Sequence, residues 1–531
     1  MPRDSGRLGA TLLSLLVGRW LPLALIVLLG LILRSQYFTA PLADAHRWRQ
    51  IDNVTIARHF AEGPFDLLHP QVNWGGPGDA SVEMEFPLLP ALIAIGYLGF
   101  GESPMVARTV VIAFSLALIG VVYLIGVNLY GIAAGRGAAL LIAVSPSAVY
   151  FGRIPIVDTL MVFFSAAAVL AFVRYFGTRR RRDAFIGGTA LGFALLVKLP
   201  AALMLGPVAY IAWRSARRST LRHTPFWTAI LLPLFVTVTW YWHANNLYLE
   251  TGLTVGIWRG AGTYPPALLP LVGPTSTFTG WADAGLLTNL EFYEGMIGRI
   301  YGLHLTPPGF VLCIVGAVVS WRSGAGVGIV AVWMLAVLSF VVVVGQGNWI
   351  HEYYQLPLLP PAALLFGLAT APVFDGNWVR TCVAGGWRGP VAVGLAVVLS
   401  AVTAFHYSGV VEGYFRPGRL DMVPIRAGAA IDRATPANGV MVVVEHAHSV
   451  NAANSPMLLY HARRRGWSFD LDSITVPAVL RLRAFGATHF ATTLWAQMEA
   501  ERPEVAHLLE HETEAVATLD APADFRLFRL P

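Results

Sequence analysis

The chemistry-bearing residues of this 531-residue chain crowd into a few short segments. The densest holds Asp44, His46, Arg47, Arg49, Gln50, Asp52 and Asn53, with Arg58 and His59 following. A carboxylate there can take a proton from an attacking hydroxyl. An arginine fork beside it can grip phosphate oxygens. The plain alternative is a solvated amphipathic helix lying on a membrane surface. Acids and arginines mixed directly after an apolar run make a poor surface anchor, so the segment reads as an active site.

Four further places carry similar residues. Glu85, in Glu83-Met84-Glu85-Phe86-Pro87, borders an apolar stretch, where a carboxylate needs a role or a partner such as Arg49 or Arg153. Arg153 and Asp158 flank a tight turn; Asp158 either complements the dipole of the next helix or joins a site with Arg153. Lys198, in Val197-Lys198-Leu199-Pro200, either snorkels or neutralises a lipid phosphate. His351, Glu352, Tyr353 and Tyr354 open a later apolar run; an aromatic belt accounts for the tyrosines but not for His351 and Glu352. Trp240, Tyr241, Trp242 and His243 read as belt rather than as a sugar platform. His446 and His448 lack a third ligand at a known spacing, which argues against a metal site. No HExxH, P-loop or glycine-rich dinucleotide fingerprint occurs.

The elements that must position these residues are membrane spans. The chain is 56% hydrophobic and 13% charged, against about 25% charged in soluble proteins. That composition excludes a soluble enzyme, a disordered chain and a nucleic-acid-binding module. Roughly eleven apolar stretches approach the about 20 residues a span needs. They lie near 20–38, 104–128, 132–151, 156–176, 184–197, 199–213, 225–245, 307–321, 326–344, 353–373 and 390–408. The 184–213 stretch is either one kinked helix or two short ones. The 86–100 stretch is short and carries two prolines, so it is expected at the interface or as a re-entrant segment. The basic clusters Arg3, Arg7 and Arg19, Arg179 to Arg182, Arg214 to Arg222, Arg322, and Arg380 with Arg388 fall on one side under this count. They place the N-terminus inside and the C-terminus outside. The surplus of 37 basic over 31 acidic residues, net +6, then sets orientation rather than binding polyanions. Ala43-Asp44-Ala45 also has the look of a signal-peptide cleavage site.

The expected architecture is an all-α polytopic membrane domain over 1–408, with a catalytic first outer loop at 39–103 and a small extracytoplasmic α/β domain over 409–531. In the latter, Gly439–Glu445 and Thr488–Thr493 are expected as strands, and Met457–Arg465 and Glu499–Glu510 as helices. Cys313 and Cys382 fall in a span and a cytoplasmic loop, so no disulfide is expected. The spans hold few ionisable residues; 225–242, 307–321, 326–344 and 390–405 hold none. A transporter or flippase of lipid-linked saccharides, the main alternative, would keep such groups at the bilayer midplane. A non-catalytic membrane scaffold is the third reading.

The ordered residues resemble the GT-C membrane glycosyltransferases, in the branch of bacterial protein O-mannosyltransferase-like and aminoarabinose-transferase-like enzymes. The resemblance spans nearly the whole chain. It rests on Trp48 through Asn53, Ile56-Ala57-Arg58, Glu85-Phe86-Pro87-Leu88, Arg108, Arg153 with Asp158, Lys198-Leu199-Pro200, His351 through Pro357, and Leu459-Tyr460 through Gly466-Trp467. It implies an inverting transfer, metal-independent or metal-assisted, of a hexose or pentose from a polyprenyl-phosphate carrier to a glycan, lipid or protein acceptor. The place would be the outer face of a bacterial cytoplasmic membrane. No nucleotide cofactor is implied; a divalent metal, if any, falls to Glu85 and Asp158, which otherwise orient the acceptor. Arg49, Arg153 and Lys198 would neutralise the phosphate, with His46, Gln50, His351, Glu352, Tyr353 and Tyr354 completing the substrate-binding set. The family pattern has its catalytic Asp directly followed by a second acid. Here Ala45 follows Asp44, and the register puts Arg49-Gln50 where the acidic pair often falls. The implied base is therefore Asp44 or Asp52.

Overall fold

The computed structural model describes residues 5–216, 223–257, 284–323, 327–375, 421–447 and 455–531, with isolated positions at 281 and between 395 and 413. The basic residues Arg3, Arg217, Arg218, Arg222, Arg380 and Arg388, together with Cys382, His448, most of the 390–408 stretch and the middle of the 246–306 loop, lie outside the described residues. The chain divides into two compact units. One comprises Met1–Phe38, Arg108–Thr237 and Gly280–Phe415; the other comprises Thr39–Ala107, Val238–Thr279 and Arg416–Pro531.

The first unit is helical. Among the described residues of the chain, the helices Pro104–Tyr130, Asp158–Thr178, Thr224–Thr251 and Glu352–Phe374 are long and apolar enough to cross a membrane. Leu290–His304 with Pro307–Arg322 makes a fifth if that pair, bent by 101°, counts as one span. The bend follows from Thr306, at φ 62°, and from Pro307 and Pro308, which donate no backbone hydrogen bond. Shorter apolar helices cover Trp20–Arg34, Ile132–Val144 and Gly328–Val343. The 184–213 stretch is two helices, Arg181–Val197 and Leu205–Ala216, joined by a 3-10 turn at Leu199–Met204 that begins just after Lys198. Pro200 in that turn cannot continue the hydrogen-bond ladder of the helix before it.

Small residues let these helices approach closely, as they do where lipid supplies no hydrophobic drive for association. A Cβ on Gly367 would stand 2.2 Å from the Ala134 carbonyl oxygen, and one on Gly137 would stand 2.9 Å from the Cα of Gly367. The fully buried Arg34 ties the end of the Ser5–Arg34 helix to its neighbours. It donates to the Ser115 hydroxyl at 2.7 Å and to the carbonyls of Ile142, Ala143 and Ala148 at 3.0, 3.0 and 3.1 Å.

The second unit holds the helices Arg47–Glu62 and Leu88–Phe100 and a five-stranded sheet. Leu88–Phe100 rises about 20 Å, short of the about 30 Å of a hydrocarbon core. The strands are β1 (Val440–His446), β2 (Arg465–Asp470), β3 (His489–Thr492), β4 (Glu514–Ala515) and β5 (Arg526–Arg529), in the order β2-β1-β3-β5-β4. β1 runs parallel to both β2 and β3, and β5 pairs antiparallel with β3 and β4. The almost uninterrupted apolar run of β1 suits a central strand buried on both faces. Val442, Val444, Trp467, Phe469 and Phe490 form one side of the core. Two expectations are corrected. The helix expected at Met457–Arg465 ends at His461, and Arg465 starts strand β2. The helix expected at Glu499–Glu510 is two, Trp495–Glu501 and Pro503–Glu512, parted where Pro503 withholds its amide.

Candidate functional site

The chemistry-bearing residues fall into two clusters, one in each unit. In the second unit, the turn before the Arg47–Glu62 helix is closed by Gln50, whose Nε2 donates to Asp44 Oδ1 at 2.5 Å and to the Ala45 carbonyl at 2.9 Å. His46 takes the left-handed conformation, φ 58°, that lets the chain enter the helix at this angle. Asp44 is buried, and so is Asp52 further along the helix.

Trp74 Nε1 donates to Asp52 Oδ1 at 3.3 Å. Among the described residues no cation pairs with it directly. Burial pushes its carboxyl up to about 7; the charge of Arg49 and the Trp74 hydrogen bond oppose that rise, and the charge of Glu85 adds to it. Arg49 makes its ion pair with Glu85, Nη2 to Oε1 at 2.6 Å. The Glu85–Arg49 pairing is one of the two structural partnerships the sequence offered for Glu85.

The segment carrying Glu85 is pinned from the second unit's part of the Thr224–Thr251 helix. Trp240 Nε1 donates to the Met84 carbonyl at 3.2 Å, and its ring meets Phe86 edge-on at 5.0 Å. Thr251 Oγ1 donates to the Ser81 carbonyl at 2.8 Å, and across that junction the Glu83 amide donates to the Leu253 carbonyl and the Val255 amide to the Glu83 carbonyl. Trp240 is buried as this lock, while Trp242 is exposed, as an aromatic-belt residue would be.

The α/β part of the unit also reaches the first loop. Trp48 stacks on His446 with ring centroids 5.2 Å apart, and Arg47 pairs with Asp421 at 3.0 Å. Burial, then the charge of Arg47, holds the His446 imidazole down at about 4. Buried Glu445 beside it is pushed up to about 7 by desolvation, against the Ser455 hydroxyl that donates to it.

In the first unit, Asp158 is the first residue of its helix and pairs with Lys198, Oδ1 to Nζ at 2.6 Å. The Lys198 ammonium also lies 4.1 Å from the centre of the Tyr354 ring and 5.0 Å from that of Tyr353. His351 stacks on Tyr353 at 5.0 Å, and Phe151 meets Tyr353 edge-on at 5.7 Å. Glu352 begins the 3-10 turn carrying both tyrosines. Arg153 is buried and donates to the Gln36 carbonyl.

A buried polar chain holds that turn. His304 contacts Ser147 Oγ at 2.8 Å and Gln355 Oε1 at 3.3 Å, and Gln355 Nε2 donates to the Asn348 carbonyl at 2.9 Å. Neither His304 nor Trp74 carries a sequence signal for these roles, because each acts through a partner distant in the chain. Among the described residues no three His, Cys, Asp or Glu side chains gather as a metal-ligand group.

Residues 84–243 match the family model described as dolichyl-phosphate-mannose-protein mannosyltransferase. No curated protein matches the chain by sequence. Solved structures match it in fold at low identity. ArnT from Cupriavidus metallidurans in the apo state aligns with TM-score 0.60 and 14% identity, over 95% of this chain and 97% of that one. The same protein bound to undecaprenyl phosphate gives 0.59 and 13%, with the same coverage. The archaeal oligosaccharyltransferase AglB from Archaeoglobus fulgidus, solved with an inhibitory peptide and a dolichol-phosphate, gives 0.58 and 11%, over 97% of this chain and 76% of that one. At these identities the chain shares the overall fold of these membrane glycosyltransferase structures, and its residues 84–243 match the mannosyltransferase family model.

Proposed function

We propose that the chain is an inverting glycosyltransferase that moves a sugar from a polyprenyl-phosphate carrier to an acceptor hydroxyl on the extracytoplasmic face of a bacterial cytoplasmic membrane. The observation that carries the reading is the pair of buried first-loop carboxylates, Asp44 and Asp52, the second with a pKa near 7. A base poised near the working pH is what removal of a hydroxyl proton calls for. The shared fold with proteins solved with undecaprenyl phosphate and dolichol-phosphate supports the donor class.

In this reading the acceptor oxygen attacks the anomeric carbon from the face opposite the phosphate. The carbon–oxygen bond to phosphate breaks, its electron pair leaves with the phosphate, and the acceptor proton passes to the aspartate. Phosphate is a good leaving group once cations stabilise its charge. Arg49, in the same unit as Asp44 and Asp52, is the cation assigned to that task. Glu85 fixes Arg49, and Asp158 fixes Lys198 over the tyrosine pair.

The test is transfer by the purified protein from a panel of polyprenyl-phosphate sugars, compared with Asp44→Asn, Asp52→Asn and the double variant. Loss of transfer in a folded single variant names the base. Full transfer by both single variants and the double overturns the reading.

A further inference from the structure

A second polar site lies in the same unit, further along the Arg47–Glu62 helix. Arg58, His59, Asn73, Asn438, Arg463 and Arg465 are among the residues lining a cavity of about 560 Å³. That volume is in the range of small-molecule binding sites. Its charges are not balanced evenly. Arg58 forks onto Glu102 at 2.6 and 3.1 Å, and Arg464 pairs with Asp432 at 2.8 Å. Arg463 pairs with Glu62 and, at 3.1 Å, with Glu102. The other lining acid, Asp66, is held by His69 at 2.7 Å.

Arg465 differs. Its guanidinium donates to Gln71 Oε1 at 2.8 Å, to the Gly78 carbonyl at 3.3 Å and to His59 Nδ1 at 3.3 Å. All three partners are neutral, and among the described residues no carboxylate pairs with it. His59 stays neutral because burial, then the charge of Arg465, holds its imidazole at about 4. With Nδ1 accepting from Arg465, Nε2–H donates to Asn73 Oδ1 at 2.7 Å. The cavity thus holds a half-buried arginine fork that no carboxylate among the described residues pairs.

Position adds a second argument. Asp52 and His59 are seven residues apart on one helix, hence on nearly the same face and about 10 Å apart along the axis. The adjacent residues Asn73 and Trp74 track that face, Asn73 touching His59 and Trp74 touching Asp52.

We propose that this cavity binds an anionic saccharide, one bearing a phosphate or carboxylate, with Arg465 as the fork that grips the anion. The identification of that saccharide as part of the acceptor rests on the transferase reading; the binding itself does not.

The experiment is calorimetric titration of the full-length protein in detergent with glucose 1-phosphate, glucuronate, glucose and inorganic phosphate. The proposal expects one of the two anionic sugars to bind at least about tenfold tighter than either glucose or phosphate alone, as a charge-assisted fork requires. Arg465→Gln should lose about tenfold or more at an unchanged melting temperature. Arg465→Lys should recover only part, since a point charge replaces the fork. Asp52→Asn should bind as the wild type does, whatever happens to transfer. Equal binding by wild type and Arg465→Gln overturns the proposal. So does binding of phosphate alone as tight as that of both sugar anions, which marks an adventitious anion only. If the saccharide binds but no sugar is ever transferred, the transferase reading fails and the site stands.

Discussion

Asp52 and Asp158 are both buried aspartates, and the protein treats them in opposite ways. Asp158 has an ammonium 2.6 Å away, backed by two tyrosine rings. Asp52 has an indole N–H at 3.3 Å, and the nearby cation Arg49 is pledged to Glu85. A buried carboxylate with a cation in contact stays charged and serves as architecture or as an anchor. One without it is forced toward the neutral form and sits ready to exchange a proton near pH 7. The lesson is that burial alone does not assign a role; the ownership of the nearest cation does.

The sharpest way to break this comparison is at the reaction. Asp44→Asn and Asp52→Asn should between them remove transfer, with the variant of the true base losing roughly 10²- to 10⁴-fold in kcat. If Asp52 is that base, wild-type kcat should rise with pH through about 7, because only the deprotonated carboxylate accepts the proton. A flat profile across that range assigns the proton to Asp44.

Stability tests the other aspartate. Lys198→Met strands the Asp158 charge and should cost about 3 to 5 kcal/mol, read by thermal unfolding in detergent. The double variant with Asp158→Asn should recover most of it. No recovery would mean that Lys198 matters through packing on the tyrosines instead.

A smaller effect of opposite sign belongs to Asp52. Its folded pKa is raised above the ordinary carboxylate value, so the folded state binds the proton more tightly and stability falls as pH climbs from about 4 through about 7. Glu445 contributes in the same direction and the same window. Asp52→Asn should therefore gain about 1 to 3 kcal/mol at pH 8 and flatten the decline between pH 5 and 8. A melting temperature that rises with pH in that window would contradict the assignment.

The smallest effect is at Trp74. Trp74→Phe removes the hydrogen bond that favours the Asp52 carboxylate, so any pH midpoint due to Asp52 should move up by less than about one pH unit. A downward shift would show that the indole acts otherwise.

The membrane character was legible because it needs only length and composition: long apolar runs cannot be hidden. So was the gathering of acids and arginines after the first run. What pairs with what was not legible. Lys198 meets Asp158 across 40 positions, and the choice is made by helix packing that no local pattern encodes. Strand β2 was missed because Tyr460-His461-Ala462-Arg463-Arg464 reads as a continuing helix, while its end at His461 answers to the sheet edge waiting at β1. The break at Pro503 was available in the sequence, since a proline amide is absent wherever it falls.

One small feature of the second unit bears on how the chain is made. β2 is the outer strand of its sheet, and its Gly466 amide and carbonyl are taken by the Asn73 carbonyl at 2.9 Å and the Gly76 amide at 2.8 Å. Gly76 manages this at φ 90°, a conformation that strains other residues. An open outer strand invites other chains to add to it, so the first loop acts as a built-in guard against self-association. The guard is synthesised nearly 400 residues before the strand it covers. Ribosome-bound intermediates must therefore carry an idle loop, and once β2 emerges, a truncated or slowly closing chain is exposed to aggregation at that edge.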